Sequence, residues 1–144
     1  MKKPVVLVID GQGGRIGKLI VEQLVSRAGQ YDIAAVGTNS IATSAMIKAG
    51  AARGGTGENA VLVNCRSADY ILGALGIVLA DSMMGEISPA MAVAVGQSAA
   101  TRLLVPLNLC NSFIAGLSPV AIKDLVALTL DELDRRIAQG ETAE

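Results

Sequence analysis

Residues 5–17 read VVLVIDGQGGRIG, an apolar run that stops at an acid and continues into four glycines. Apolar residues at consecutive rather than alternating positions are typical of a strand buried on both faces, which occurs in parallel sheets covered by helices. The residues that follow, KLIVEQLVSRAG at 18–29, carry apolar side chains at helical spacing and end at a glycine. The stretch therefore predicts a strand, a glycine-rich turn and a helix, the first unit of a Rossmann-like domain.

The glycines of this turn match a nucleotide-binding pattern. Gly11, Gly14 and Gly17 fit G-x-x-G-x-x-G, and Gly11 with Gly13 fits the first half of G-x-G-x-x-G. A tight turn, a close approach of backbone to an anion and close packing of helix on strand each favour a residue without a Cβ. The free N–H groups and the dipole of the helix then face the anion. We predict that the turn binds a nucleotide; the alternative is a turn with a purely structural role.

The end of the second predicted strand departs from the dinucleotide pattern. YDIAAVG at 31–37 is followed by Thr38, Asn39 and Ser40, where an acid that holds the ribose diol is expected. Neutral donors together with Arg15 could receive a 2′-phosphate, which favours NADP over NAD. Capping of the next helix explains the same three residues equally well.

Three further residues limit what the turn can bind. Asp10 lies beside the expected phosphate and would repel it unless its carboxylate accepts the N–H groups of the turn or works with a cation. A P-loop would need glycine at position 12 and Ser or Thr at position 19, and Gln12 and Leu19 stand there. The sequence therefore does not predict an NTPase of the P-loop type.

The rest of the chain alternates between strand and helix patterns. Further strands are predicted at 31–37, 60–65, 68–73 and 102–107, with 112–116 as a candidate sixth, helices at 38–50, 75–85, 88–100 and 130–139, and a Gly-rich loop at 51–59. Ser88 with Pro89, and a capping box from Thr129 to Glu132, mark two of the helix starts. This order predicts an α/β, Rossmann-like, doubly wound and mainly parallel sheet of five to six strands in three layers. Residues 1–140 form one domain, and 141–144 form a frayed tail.

Ligands of such sheets sit outside the carboxyl ends of the strands. Asn64 and Cys65 end one predicted strand, and 108–111 follow another, so we expect them at this edge; turn chemistry is the alternative for the asparagines. Glu58 and Glu86 are lone acids that we expect to be exposed to solvent, and a role as a general acid or base is the alternative. No catalytic residue or metal ligand is assigned, and the candidate cofactor-binding residues are Gly11, Gln12, Gly13, Gly14, Arg15, Ile16, Gly17, Thr38, Asn39, Ser40, Asn64 and Cys65.

Composition excludes several classes of function. The formal charge of −1, scattered basic residues and only three aromatic side chains give no footprint for nucleic acid. The longest apolar run, 70–80, is too short for a membrane span, and we expect a cytoplasmic protein with reduced cysteines. The mean hydropathy of +0.50 is high for a small monomer, so we expect a homo-oligomer.

Two resemblances add to this interpretation. GQGGRIG is similar to the fingerprint of dihydrodipicolinate reductases, which implies that Arg15 approaches a phosphate of a pyridine dinucleotide. Longer motifs, including GTNSIATSAMIKAGA, TGENAVLVNCR and GIVLADSMMGEISPAMAVAVGQS, resemble a family of small bacterial proteins known only as a domain of unknown function. That resemblance spans residues 5–117 and implies a Rossmann-like core without implying an activity or functional residues.

The leading functional hypothesis is a protein that binds a nucleotide cofactor, NADP or NAD, as a reductase or reductase subunit. The absence of histidine, the commonest general base, favours a second hypothesis, a ligand-sensing or regulatory module without catalysis. A third is a self-assembling structural protein that uses its Ala, Val and Met surfaces for packing.

Overall fold

Five parallel strands form the sheet in the computed structural model, which describes residues 2–28, 30–107 and 111–140. Their order across the sheet is β3-β2-β1-β4-β5. The chain therefore moves outward from β1 in one direction through β2 and β3, and then in the other through β4 and β5. The strands are β1 (Val5–Asp10), β2 (Asp32–Gly37), β3 (Arg53–Thr56), β4 (Tyr70–Ala74) and β5 (Thr101–Val105).

Helices cover both faces of the sheet. The helices are α1 (Arg15–Ser26), α2 (Ser40–Ala49), α3 (Glu58–Asn64), α4 (Pro89–Gln97) and α5 (Ile122–Ala138), with a short 3₁₀ helix at Leu75–Val78. Val6 and Val8 of β1 pack in one core cluster with residues of α1, α2 and α5, whereas Leu7 and Ile9 pack in a second cluster with residues of α3 and α4. The predicted three-layer, doubly wound α/β fold is confirmed, with five strands in the described residues.

The predicted starts of two helices are confirmed. Asn39 caps α2, because its Oδ1 accepts a hydrogen bond of 2.9 Å from the Ala42 amide. Ser88 caps α4 in the same way, with its Oγ 3.2 Å from the Met91 amide and with Pro89 in the first helical position. Both caps follow from local sequence alone.

The third predicted strand is wrong. Residues 58–64 form α3, and β3 lies instead in the stretch expected to be a loop. Within the apolar run 60–65 only one side is buried, since Val61 has no exposed surface and Val63 is 44% exposed. A short apolar run does not distinguish strand from helix by periodicity. Strand β3 reads RGGT and lies at the edge of the sheet, where a strand can form without an apolar face.

Three other predicted elements also differ from the structure. Residues 75–85 form the 3₁₀ helix and then turns rather than a helix, and 112–116 form no strand. Helix α5 begins at Ile122, so the capping box is wrong: the Thr129 hydroxyl donates to the carbonyl of Leu125 inside the helix. Gly29, residues 108–110 and the predicted tail 141–144 lie outside the described residues.

The distribution of apolar side chains bears on two further expectations, the absence of a membrane span and self-association. Within the described parts of the chain, no helix combines the length and the apolar character that crossing a bilayer requires. Several large apolar side chains are nevertheless exposed, among them Val93 of α4, Met84 and Phe113. Self-association stays a prediction that these side chains favour.

Candidate functional site

The glycine turn lies at the point where the strand order reverses. Strand β1 is flanked by β2 and β4, and residues 11–14 connect its carboxyl end to α1. The turn is closed by a hydrogen bond of 2.9 Å from the Gly14 amide to the Gly11 carbonyl. Gly14 has φ of +73°, and a Cβ there would lie 2.8 Å from the Ala42 Cα. This position therefore requires glycine, for its backbone conformation and for its contact with α2.

Asp10 supports the turn from inside the fold. Its Oδ1 accepts a hydrogen bond of 2.8 Å from the Gly11 amide, and its Oδ2 accepts one of 2.7 Å from the Gly17 amide. The side chain is buried, and this burial raises the pKa of the carboxyl above its ordinary value although the two amide bonds act to lower it. Both oxygens of Asp10 are thus used by the turn itself, one of the two roles that the sequence left open for this acid.

Two amides of the turn remain available. Within residues 2–28, 30–107 and 111–140, the N–H groups of Gly13 and Arg15 make no hydrogen bond, and both residues are exposed. The space above Gly13 is open, since a Cβ there would meet only the Arg15 Cγ at 4.0 Å. The Arg15 guanidinium forms no ion pair with the described residues. Three unpaired donors and an open approach therefore lie together at the amino end of α1.

A carboxylate from a distant part of the chain lies beside the turn. Glu86 Oε1 accepts hydrogen bonds of 2.9 Å from the Gln12 amide, 2.6 Å from the Thr38 hydroxyl and 2.8 Å from the Asn39 side-chain amide. These three donors, the Thr38 hydroxyl foremost, hold the pKa of Glu86 below its ordinary value. The glycine turn, the end of β2 and the loop that carries Glu86 thus meet at one carboxylate.

The loop at 79–88, which carries Glu86, is anchored at both sides of this residue. The Ser82 hydroxyl donates to the Gly76 carbonyl at 2.5 Å, and the Asp81 amide donates to the Ile87 carbonyl at 2.7 Å. Ile87 has no exposed surface and packs in the core cluster under α3 and α4. Asp81, Met83 and Met84 all have positive φ, between 56° and 67°. Left-handed conformations of non-glycine residues persist where the surrounding structure enforces them.

Comparison with known proteins places the chain in a family. The model of a family described as "Domain of unknown function (DUF3842)" matches residues 5–138. The chain belongs to this family. No curated protein matches it. Solved structures that it resembles include a dodecameric FMN-dependent UbiX-like decarboxylase from Escherichia coli O157:H7, at 17% identity over 90% of this chain and 76% of that one, with a TM-score of 0.41.

Most of the residues predicted for the site of this DUF3842 chain meet at the carboxyl end of β1, where the strand order reverses. We call this place the switch point. Gly11, Gln12, Gly13, Gly14 and Arg15 form the turn, and Thr38 and Asn39 lie beside it. Gly17 and Ile16 serve the packing of α1: a Cβ on Gly17 would lie 2.5 Å from the Met46 Sδ, and Ile16 packs against the core. Ser40 lines a separate open groove with Lys18, Ser44 and Lys48.

Asn64 and Cys65 do not reach the site, which corrects their assignment. Asn64 is the last residue of α3, and Cys65 is its C-cap. Helix α3 runs from the carboxyl end of β3 back to the amino ends of the strands, where the Asp69 amide donates to the Val5 carbonyl. The Asn64 side chain donates to the Ala60 carbonyl within α3. Cys65 is buried, and burial raises the pKa of its thiol to about 11. The misplacement follows directly from the prediction of a strand where the structure has α3.

Glu86 is the residue of the site that the sequence analysis missed. Its side chain is half-buried, and its carboxylate accepts hydrogen bonds from three donors in two other segments. It is 74 residues from Gln12 along the chain. One signal in the sequence points to Glu86. The acid expected after β2 is missing, and Glu86 is an acid elsewhere in the chain to which no role is assigned.

Proposed function

We propose that this DUF3842 chain binds a nucleotide at the switch point, with a phosphate group against the amino end of α1. The observation that carries the proposal is the pair of exposed amides, of Gly13 and Arg15, that make no hydrogen bond within the described residues. Unpaired N–H groups at the start of a helix bind anions, and the helix dipole adds to the attraction. The Arg15 guanidinium supplies the positive charge that the backbone lacks.

Asp10 does not oppose this proposal. Its two oxygens are already occupied by the Gly11 and Gly17 amides, and the side chain is buried beneath the turn. In that position it organises the backbone so that a different pair of amides is left for the ligand. Gly13 leaves space for the approach of a phosphate, as the second glycine does in dinucleotide-binding turns.

The proposal is for binding and assigns no reaction. NAD and NADP, the cofactors expected from the sequence, remain members of the ligand class, together with FMN and the nucleoside diphosphates. A reductase would need, in addition, a group that positions the substrate beside the cofactor. A nucleotide-dependent sensor would use the same binding site without that group.

Isothermal titration calorimetry with NAD⁺, NADP⁺, FMN, ADP and GDP tests the proposal. We expect at least one of these to bind, and Gly13→Asp to weaken it at least about a hundredfold, because a carboxylate then lies beside the phosphate. Gly13→Asn is the matched control, of the same shape and without the charge, and should weaken binding less than about tenfold. Gly13 does not have positive φ, so both variants fit the backbone.

A second pair of variants tests the cation. Arg15→Gln should weaken nucleotide binding about tenfold through loss of one charge-assisted contact. Lys18→Gln, one turn further along the same helix and already 3.8 Å from Glu22, is the control and should change affinity little. If none of the five ligands binds the wild-type protein, or if Gly13→Asp and Gly13→Asn bind equally well, the proposal is wrong.

Self-association is a separate expectation that α4 supports. Its sequence, PAMAVAVGQ, is apolar on nearly every side, and Val93 is 52% exposed. A helix that is apolar all round is normally covered on all sides. Light scattering at micromolar concentration should show more than one chain per particle, and Val93→Glu should reduce the number. A wild-type monomer would contradict this expectation.

A further inference from the structure

The two oxygens of the Glu86 carboxylate are in different situations. Oε1 accepts all three hydrogen bonds that this side chain makes, from Gln12, Thr38 and Asn39. Oε2 accepts no hydrogen bond within the described residues, and no cation there pairs with the carboxylate. The protein therefore fixes one oxygen and leaves the other as an available acceptor.

The position of this carboxylate matches a gap in the sequence pattern. Dinucleotide-binding folds place an acid at the end of the second strand, beside the glycine turn, where it accepts the ribose hydroxyls. In this chain Thr38 follows β2, and its hydroxyl donates to Glu86. The Gln12 amide of the glycine turn donates to the same oxygen. A carboxylate thus lies between the end of β2 and the turn, although it comes from the loop at 79–88.

We propose that Glu86 determines specificity for the sugar: its free Oε2 accepts a hydrogen bond from the 2′-hydroxyl of a bound ribonucleotide. This inference rests on the proposed function, since it needs a nucleotide whose phosphate lies at the amino end of α1. It reverses the preference for NADP expected from the sequence. A 2′-phosphate would meet a carboxylate with no counter-ion, and a 2′-deoxyribose would leave Oε2 without its partner.

The surroundings of Glu86 keep it in place and charged. The neighbouring Ile87 is fully buried and anchors the loop. A Cβ on Gly11 would lie 2.7 Å from the Thr38 Oγ1 and 3.2 Å from Glu86 Oε1, so this glycine makes room for the pair. Hydrogen bonds from neutral donors favour the ionised carboxylate. An ionised and immobilised acceptor is what recognition of a hydroxyl group requires.

The test compares pairs of ligands that differ only at the 2′ position. Calorimetry would measure the affinity of wild-type protein and Glu86→Gln for ADP against 2′-deoxy-ADP, GDP against 2′-deoxy-GDP, and NAD⁺ against NADP⁺. We expect the wild-type protein to prefer the ribonucleotide about tenfold over its deoxy form, and NAD⁺ over NADP⁺ by about a hundredfold. In Glu86→Gln, which removes the charge and places an amide donor where Oε2 was, the preference for NAD⁺ over NADP⁺ should fall below about threefold. The preference for the ribonucleotide should also fall, because the neutral amide makes a weaker hydrogen bond to the 2′-hydroxyl than the carboxylate does.

The control is Glu22→Gln, which removes the same charge from the exposed surface of α1 and should keep both preferences. A thermal melt of each variant confirms that it is folded. If Glu86→Gln tightens every ligand equally, the carboxylate is an internal competitor for the site and the inference is wrong. If wild-type protein binds nucleotides but the preferences are absent or unchanged in Glu86→Gln, the inference fails and the proposed function stands. If none of these nucleotides binds, both fail.

Discussion

Two carboxylates flank the glycine turn, and they differ in what remains after the protein has made its own hydrogen bonds. Asp10 comes from the sheet beneath the turn, is buried, and uses both oxygens on backbone amides. Glu86 comes from the loop beside the turn, is partly exposed, and uses one oxygen. The comparison shows that the position of an acid next to a glycine turn does not by itself define its role. Its role depends on burial and on which of its oxygens the fold already occupies.

The largest effect should come from Asp10→Asn. This change replaces one acceptor oxygen with an NH₂ group that faces a backbone N–H, and leaves a buried amide without a partner. We expect a loss of about 2 kcal/mol in the free energy of unfolding, measured by urea denaturation. Asp124→Asn, in the exposed first turn of α5, is the control and should cost less than about 1 kcal/mol. Equal losses in the two variants would remove the distinction between a structural acid and a surface acid.

Two neighbouring glycines of the turn offer the next contrast. Gly14→Ala should cost about 1–2 kcal/mol, because the residue is left-handed and the added Cβ would lie 2.8 Å from the Ala42 Cα. Gly13→Ala should leave the free energy of unfolding nearly unchanged, because no atom lies closer than 4.0 Å to the added Cβ. Urea denaturation of both variants measures this difference. A Gly13→Ala variant as unstable as Gly14→Ala would show that the space above Gly13 is not open.

The outcome at the turn shows which parts of a site can be predicted from sequence. The strand, the glycines and the start of α1 are consecutive, so their pattern contains the geometry, and the suggestion that Asp10 bonds the turn followed from its position. The cap at Ser88, and a cap among the three residues 38–40, are predictable for the same local reason. Glu86 could not be predicted, because only tertiary packing brings it to Gln12.

The error at 58–65 has a different physical origin. An apolar run of four or five residues carries too little periodicity to separate strand from helix, and the adjacent edge strand, RGGT, carries no apolar signal. The exchange of one element for its neighbour kept the number of strands and the fold class correct. The same exchange places Asn64 and Cys65 at the amino ends of the strands instead of the carboxyl ends. The fold is therefore more predictable from sequence than the site.

A smaller effect separates the two acids by pH. The pKa of Glu86 lies below its ordinary value, so the stability it contributes is present above about pH 4.5 and is lost as the pH falls through its folded pKa. The pKa of Asp10 is raised above 3.8, so the folded state binds this proton more readily and gains stability as the pH falls through that window. Carboxyl-carbon NMR titration should find Asp10 above and Glu86 below their ordinary values. Shifts in the same direction would contradict the comparison.

The smallest effect concerns the reactivity of Cys65, which lies at the amino ends of the strands, opposite the glycine turn. Cys65 is 3% exposed and its pKa is about 11, so it should react with a thiol reagent at pH 8 only when the protein unfolds. In a Cys110→Ser background, the labelling rate of native protein should be far below the rate in urea, and a saturating nucleotide should slow it only as far as it stabilises the fold. Fast labelling of Cys65 in the native protein, blocked stoichiometrically by nucleotide, would place the ligand at the amino ends of the strands and contradict the proposed site. Slow labelling that nucleotide changes only through stabilisation of the fold is the outcome expected for a ligand at the switch point.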